Sequence, residues 1–391
     1  MREYEGKGSL HFPWIPVIEG TFKLTFKENG KTILELTPEG TTYFKLLNLP
    51  SDPGRFTGKA IDSKFTILVD KVYMISAHIG EGNNRLTFEI FQPVRIIYQV
   101  IKEDDEIEIV QGLSNFLFYG MEATQRGQQW TRDTLRCTLG GKEVCLVQLP
   151  GFPQIEEHLK EFRDVRTTCE LKVVGKYKEV ASLRELSRNA QYLCSLGSGN
   201  YVTEMYEDIF KDNTLVETQL FPLKTYLFSN VVPLIDTSLH GINEFKEYLE
   251  GTYHEYAKLK EPLGLSYVIE FFITSKLYSP MEVEFLLTAT TLECLESYFA
   301  DWKKYGPERM SMKKKTRRIL DEFRVTHSSS ELEFDYIRNF IVHEGKFPPY
   351  CDRVKALRGF RNLVDRLFLG ILGYRGKPYY SIVKQKKEYL N

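Results

Sequence analysis

Residues 21–36, TFKLTFKENGKTILEL, alternate apolar and polar side chains on either side of one Asn-Gly step. Phe22, Leu24 and Phe26 precede the step, and Ile33, Leu34 and Leu36 follow it. Asn29-Gly30 tolerates the positive φ angles that a two-residue hairpin demands, so the stretch predicts two antiparallel strands joined by a tight turn. Outward from this hairpin the pattern repeats. Strand-like runs are found at 64–69, 85–91, 94–101, 106–110 and 143–149. Short, aromatic-rich, turn-separated strands predict a sandwich or a half-barrel. Cys137 and Cys145 flank Gly140-Gly141 and are candidates to face each other across another hairpin.

From Ser182 the period changes from two to that of a helix. Ser182 and Glu185 have capping-box spacing, and the helix that follows carries Leu186, Leu193 and Leu196 and is expected to stop at Gly197. Strand-like pieces at 201–206, 215–220 and 223–228 come next. Beyond residue 242 the pattern is helical, with expected helices at 243–260, 264–277, 281–300, 308–325, 331–343 and 354–372. Pro262, Pro280 and Pro307 lie at or beside helix starts, and Gly373 follows the last helix as a left-handed cap. The expected fold is therefore α+β and multidomain. It has a β-rich domain over 1–165, a mixed α/β connector over 166–241 and an all-α bundle of five or six helices over 242–391.

Composition narrows the function. The chain has 391 residues, 42% of them hydrophobic and 27% charged, enough to bury a core throughout. No stretch approaches the roughly 18 apolar residues of a membrane span, and the first residues have no signal-peptide core, so a cytoplasmic location is expected. The six cysteines form no CxxC pair and are expected to be free thiols, with no metal site. No phosphate-binding glycine loop, HExxH or GxSxG motif occurs, so no cofactor is called for. The net charge is −1, but residues 276–391 hold 22 Lys and Arg against 15 Asp and Glu, while the remainder holds 30 against 38. A basic C-terminal part suggests contact with phosphate.

The segment Ser330–Gly345, SELEFDYIRNFIVHEG, carries the chemistry. Ser330 and Glu333 again have capping-box spacing; Leu332, Phe334, Ile337, Ile341 and Val342 mark a buried side; Gly345 and Pro348-Pro349 end the helix. His343 falls in the last turn, where the helix dipole favours a protonated imidazole able to give or take a proton. Asn339, four residues earlier, can hold the ring. Arg338, five residues earlier, is about 140° away around the helix. It must reach around the helix or meet a group on another chain. The bland alternative is a terminal histidine capping carbonyls and an arginine on a solvated face.

RNFIVHEG resembles the Arg-Asn-x3-His signature of HEPN ribonucleases. Residues 356–381, ALRGFRNLVDRLFLGILGYRGKPYYS, resemble the closing helix of the ApeA-type HEPN branch of bacterial phage-defence systems. FLLTATTLECLESYF (285–299) is similar to that branch's early helix, with its Ala-x-x-Leu-Glu pattern ending at Glu293. GTFKLTF and FTGKAIDSKFTILV look like the ApeA N-terminal domain.

The resemblance implies metal-independent RNA cleavage, transfer RNA among the candidate substrates, by attack of a ribose 2′-hydroxyl on the adjacent phosphate. His343 would be the acid or base, Arg338 the phosphate clamp, and Asn339 a ring or phosphate contact. Glu293 would approach from the early helix. A homodimer would pair two sites, and the N-terminal domain would sense a phage-derived trigger. The basic run Lys313, Lys314, Lys315, Arg317 and Arg318 is either a solvated face or a track for an RNA backbone; Lys384–Lys387 is a second such run or a frayed tail. The alternative within this resemblance is a HEPN-like module that binds RNA or protein without cutting.

Overall fold

The computed structural model describes all residues except 13–14, 40–52, 61–63, 79–83, 127–128, 223–227, 229–231, 278–279, 306–309 and 391 (at 15–16, 124–126 and 129–130 the backbone only). The hairpin expected at 21–36 is present as β2 (Ile15–Phe26) and β3 (Thr32–Pro38), in register Phe26↔Thr32. Its turn differs from the expectation. Gly30 alone takes a positive φ (77°), Lys27 N–H donates to Lys31 O, and Gly30 N–H donates to Lys27 O, both at 2.9 Å. The loop is thus three residues long and ends in a left-handed glycine.

Around this pair stand β1 (Arg2–Phe12), β4 (Gly54–Ala60), β5 (Thr66–His78) and β6 (Arg85–Ile90). The order β4-β1-β2-β3-β6-β5, with β5 pairing back to β4, closes a six-stranded antiparallel barrel. Alternation puts Leu10, Phe22, Leu24, Leu34, Phe56 and Phe88 inside, all buried. Each such side chain contributes about 1.5–3 kcal/mol. Gly8 and Gly58 make room for this packing: a Cβ on either would lie 2.5 Å or 2.7 Å from the rings of Phe56 and Phe22. Closure replaces the expected sandwich or half-barrel and leaves neither edge of that sheet open.

The ladder does not end at the barrel. β7 (Val94–Ile97) pairs with β5 on one side and with β14 (Thr214–Leu220) on the other. From β14 the sheet continues through β13 (Glu204–Lys211), β8 (Glu106–Ser114), β12 (Thr167–Lys176), β11 (Lys142–Gln148), β10 (Gln129–Leu139) and β9 (Glu122–Arg126). Residues 166–241 supply β12, β13 and β14, which complete a sheet begun by residues 106–148. Helix α1 (Phe152–Phe162), opened by a left-handed Gly151, and strands β1, β4, β9 and β12 were not foreseen from the sequence pattern, and of β10 only its turn at Gly140-Gly141 was. The strand expected at 223–228 falls almost wholly outside the described residues.

Helix α2 (Val180–Ser198) starts earlier and ends later than its pattern predicts. Ser182 is not its cap; its hydroxyl donates to Glu179 O (2.7 Å) from inside the first turn, and Glu185 instead pairs with Lys260 (2.7 Å). Gly199, at φ 73°, is the left-handed cap in place of Gly197, whose missing side chain accommodates Phe245 and Tyr248. Cys137 sits opposite Val144 in the β10–β11 register, so Cys137 and Cys145 point to opposite faces. All six cysteines are free.

The C-terminal part contains α3 (Ile242–Leu259), α4 (Leu265–Ser275), α5 (Met281–Trp302), α6 (Met312–Glu322), α7 (Phe334–Glu344) and α8 (Arg353–Ile371). These match the expected helices to within a few residues at each end. Gly373 takes φ 70°, as expected. The part is not purely helical: β15 (Pro378–Ser381) and β16 (Lys386–Tyr389) form a hairpin. Lys387 there binds Glu244 (2.8 Å) and Asp236 (3.2 Å), so the terminal lysine run is tied down and not a frayed tail. The buried apolar side chains fall into two clusters. One fills the barrel; the other runs from β8 through α2 and α3 to α8 and the terminal hairpin. Among the described residues no helix is long and apolar enough to cross a membrane.

Candidate functional site

Helix α5 organises the region, with α4, α6, α7 and α8 packed around it. Phe285, Ala289, Leu292, Leu295 and Phe299 form its buried stripe. Glu293 and Glu296 lie at the stripe's flanks, three residues apart. Glu293 is about a third exposed and binds Arg338 of α7, Oε1 to Nη2, at 2.8 Å. Glu296 is buried and meets the Thr316 hydroxyl of α6. One turn of α5 thus fastens both the helix bearing Arg338 and the helix bearing the basic run.

Helix α7 is set by local chemistry at both ends. A 3-10 turn (Ser330–Glu333) leads into it. The capping box is formed by Ser328 and Glu331, two residues upstream of the expected pair. Glu331 N–H donates to Ser328 Oγ (3.3 Å), and Ser328 N–H donates to Glu331 Oε2 (2.8 Å). Ser330 and Glu333 have the same spacing, and Glu333 is exposed and caps nothing with its side chain. Phe334 and Ile341 are buried, and Phe334 stacks on Phe360 of α8 with ring centroids 4.4 Å apart. At the other end Gly345, at φ 69°, donates its N–H to Ile341 O (2.8 Å). The chain then turns Phe347 back into the core against Phe285.

His343 is left at an exposed corner, with no hydrogen bond or ion pair among the described residues. Asn339 does not hold its ring. Asn339 Oδ1 instead accepts from Arg338 Nη1 at 3.0 Å, because Arg338 lies on the flank facing α5 and the amide beside it completes its fork. Arg338 and His343 make no contact within one chain, as their angular separation requires. Tyr336 (64% exposed), Asn339, Phe340 and His343 share one outward face at helical spacing, with the Tyr336 and Phe340 rings 6.3 Å apart. That aromatic pair beside His343 is legible in the sequence as Tyr336 and Phe340 at i,i+4 spacing, off the apolar stripe that marks the buried side.

On α6, Lys314, Lys315 and Arg317 are exposed and Lys313 is half-buried, while Thr316, Ile319 and Leu320 face α5. Arg318 departs from the outward run: its guanidinium lies over the Tyr305 ring (4.3 Å) and reaches Met310 Sδ (2.8 Å). A cleft of about 1110 Å³ opens between α7, the first half of α8 and the terminal hairpin; Tyr350, Lys355, Arg366, Tyr379, Lys386 and Tyr389 are among its walls. Burial pushes the Glu296 carboxyl up to about 8, against the opposing pulls of Thr316 and Lys315 and helped by Glu293 and Asp335. Among the described residues no three His, Cys, Asp or Glu side chains cluster as a metal site. Comparison with protein-family models, curated proteins and solved structures finds no match to this chain.

Proposed function

We propose that the chain is a metal-independent endoribonuclease of the HEPN type, acting on RNA in the cytoplasm as an anti-phage effector, with Arg338 and His343 as its reacting pair. One observation carries the reading. Arg338 is oriented by Glu293 from α5 while His343 stands at the open end of the same helix, on a face where Tyr336 and Phe340 contact each other and no further ring among the described residues.

An imidazole alone supplies one proton transfer per step, whereas cleavage by a 2′-hydroxyl needs both a base and an acid. A second copy of α7 meeting the face of Tyr336, Asn339, Phe340 and His343 about a two-fold axis brings the second histidine. Arg338 then clamps the scissile phosphate through its planar fork, with Glu293 holding the guanidinium at the right height. The cations of α6, fastened to the same turn of α5, carry the RNA backbone towards the pair. In this reading helices α3–α8 form the HEPN bundle and the N-terminal β region senses the infection signal.

The test is cleavage of total RNA in EDTA by the wild type and by His343→Ala. A loss of about 100-fold or more in the variant, with an unchanged far-UV spectrum, is expected. Equal cleavage by both proteins rejects the assignment. A second reading has one observation in its favour: the Arg338 charge is matched by Glu293 in the free chain. On that reading the bundle binds RNA or a protein without cutting. Equal RNA binding with no cleavage by either protein selects it.

A further inference from the structure

Between the barrel and helix α2 lies a cavity of about 260 Å³ that no residue of α7 lines. Phe91 and Pro93, at the barrel's exit into β7, form one wall; Tyr192, Tyr201 and Phe221 form others. Arg188 and Glu204 are the charged groups that line it. The volume sits just below the roughly 300 Å³ at which small-ligand sites begin, so it takes one ring system inside and leaves any longer substituent at its mouth.

The polar groups are built in and not incidental. Gln191 is buried, and its Nε2 donates both to Gln111 Oε1 (3.1 Å) and to Glu204 Oε2 (3.4 Å). Gln111 in turn donates to Glu207 (2.9 Å), which Arg184 grips at 2.8 and 2.6 Å. The chain of bonds fixes the Glu204 carboxyl from behind. Its other oxygen, Oε1, makes no hydrogen bond among the described residues. Arg188 is exposed and forms no ion pair among the described residues, although it stands beside an acid.

Flat aromatic walls favour a planar ring by stacking. A half-buried carboxylate with one oxygen left without a donor among the described residues favours a ring edge that presents N–H groups. An unpaired guanidinium at the mouth favours an anionic substituent. A purely cationic ligand would satisfy the walls and the acid but would be repelled by Arg188. We propose that this cavity is a mononucleotide site, with a guanine ring between the aromatic walls, its N–H edge on Glu204 and its phosphate on Arg188. Occupancy ties the barrel's last strand turn to α2. The site stands independently of RNA cleavage by α7.

Calorimetric titration of the full chain with guanosine 5′-monophosphate, guanosine and adenosine 5′-monophosphate tests it, alongside Arg188→Ala and Glu204→Gln. Guanosine 5′-monophosphate is expected to bind tightest. Arg188→Ala is expected to weaken it by about 10- to 100-fold while leaving guanosine unchanged. Glu204→Gln is expected to abolish the preference over adenosine 5′-monophosphate. Absence of binding by the wild type up to about 1 mM nucleotide overturns the proposal, as does equal binding by the wild type and Arg188→Ala. Arg188 is exposed, so its variant folds, and the thermal unfolding curve of each protein verifies that.

Discussion

Glu293 and Glu296 stand three residues apart on α5 and have different surroundings. Glu293 meets a cation at the surface. Glu296 meets the Thr316 hydroxyl, which also contacts the Met312 carbonyl at 3.0 Å. One hydroxyl proton cannot serve two acceptors, and a neutral Glu296 carboxyl supplies the second proton. The same conclusion follows from its surroundings, since burial raises its proton affinity from the ordinary 4.5 to about 8. Because the folded chain then holds a proton that the unfolded chain releases above about pH 4.5, this contribution to stability is complete below that pH. It is lost as pH rises towards 8. Glu296→Gln keeps the bond without the titration. The variant is expected to match the wild type near pH 4.5 and to exceed it by on the order of 4 kcal/mol at pH 8, measured by urea unfolding across that range. Identical pH profiles would show that Glu296 is ionised in the fold.

At the scale of single elements, α7 depends on its two ends. At Gly345 a Cβ would meet nothing within 4 Å, so the cost of a side chain there is conformational alone. Gly345→Ala is expected to lose about 1 kcal/mol by thermal unfolding. Ser328→Ala, which removes the capping box, is expected to lose about 1 kcal/mol as well. The helices of the C-terminal part were legible because their apolar periodicity is long and their ends carry Gly or Pro, as at Pro280 and Gly345. The strands were less so. β12 is buried on its apolar face and paired on both sides, with no turn signal to set it off, and of β10 only the Gly140-Gly141 turn that ends it was legible. Spacing alone also misplaced the caps, since Ser182/Glu185 and Ser330/Glu333 satisfy the pattern without capping either helix. The site was partly legible. Glu293 does reach Arg338, but the Asn339 amide turned to the arginine, because a guanidinium one residue away competes for it better than a ring one turn away.

On the scale of the whole molecule, charged pairs fasten the barrel to the larger sheet. Arg2 on β1 binds Asp208 on β13 through two bonds of 2.7 Å, lies over the Tyr206 ring at 4.0 Å, and shares Asp208 with Thr218. Removing Arg2 leaves a mostly buried carboxylate without its cation. Arg2→Ala is expected to cost on the order of 2 kcal/mol in urea unfolding. Adding Asp208→Asn is expected to return part of it, a coupling that two independent sites would not give. β5 serves the barrel wall and, through β7, the outer ladder. A saw cut between the two bodies therefore passes through a hydrogen-bonded ladder: excising the barrel would strip β7 of β5 and leave a raw row of amides and carbonyls facing water. Such a fragment would invite stacking with its own kind. Questions about what the barrel does are better put with point substitutions on its outer wall than with truncated chains.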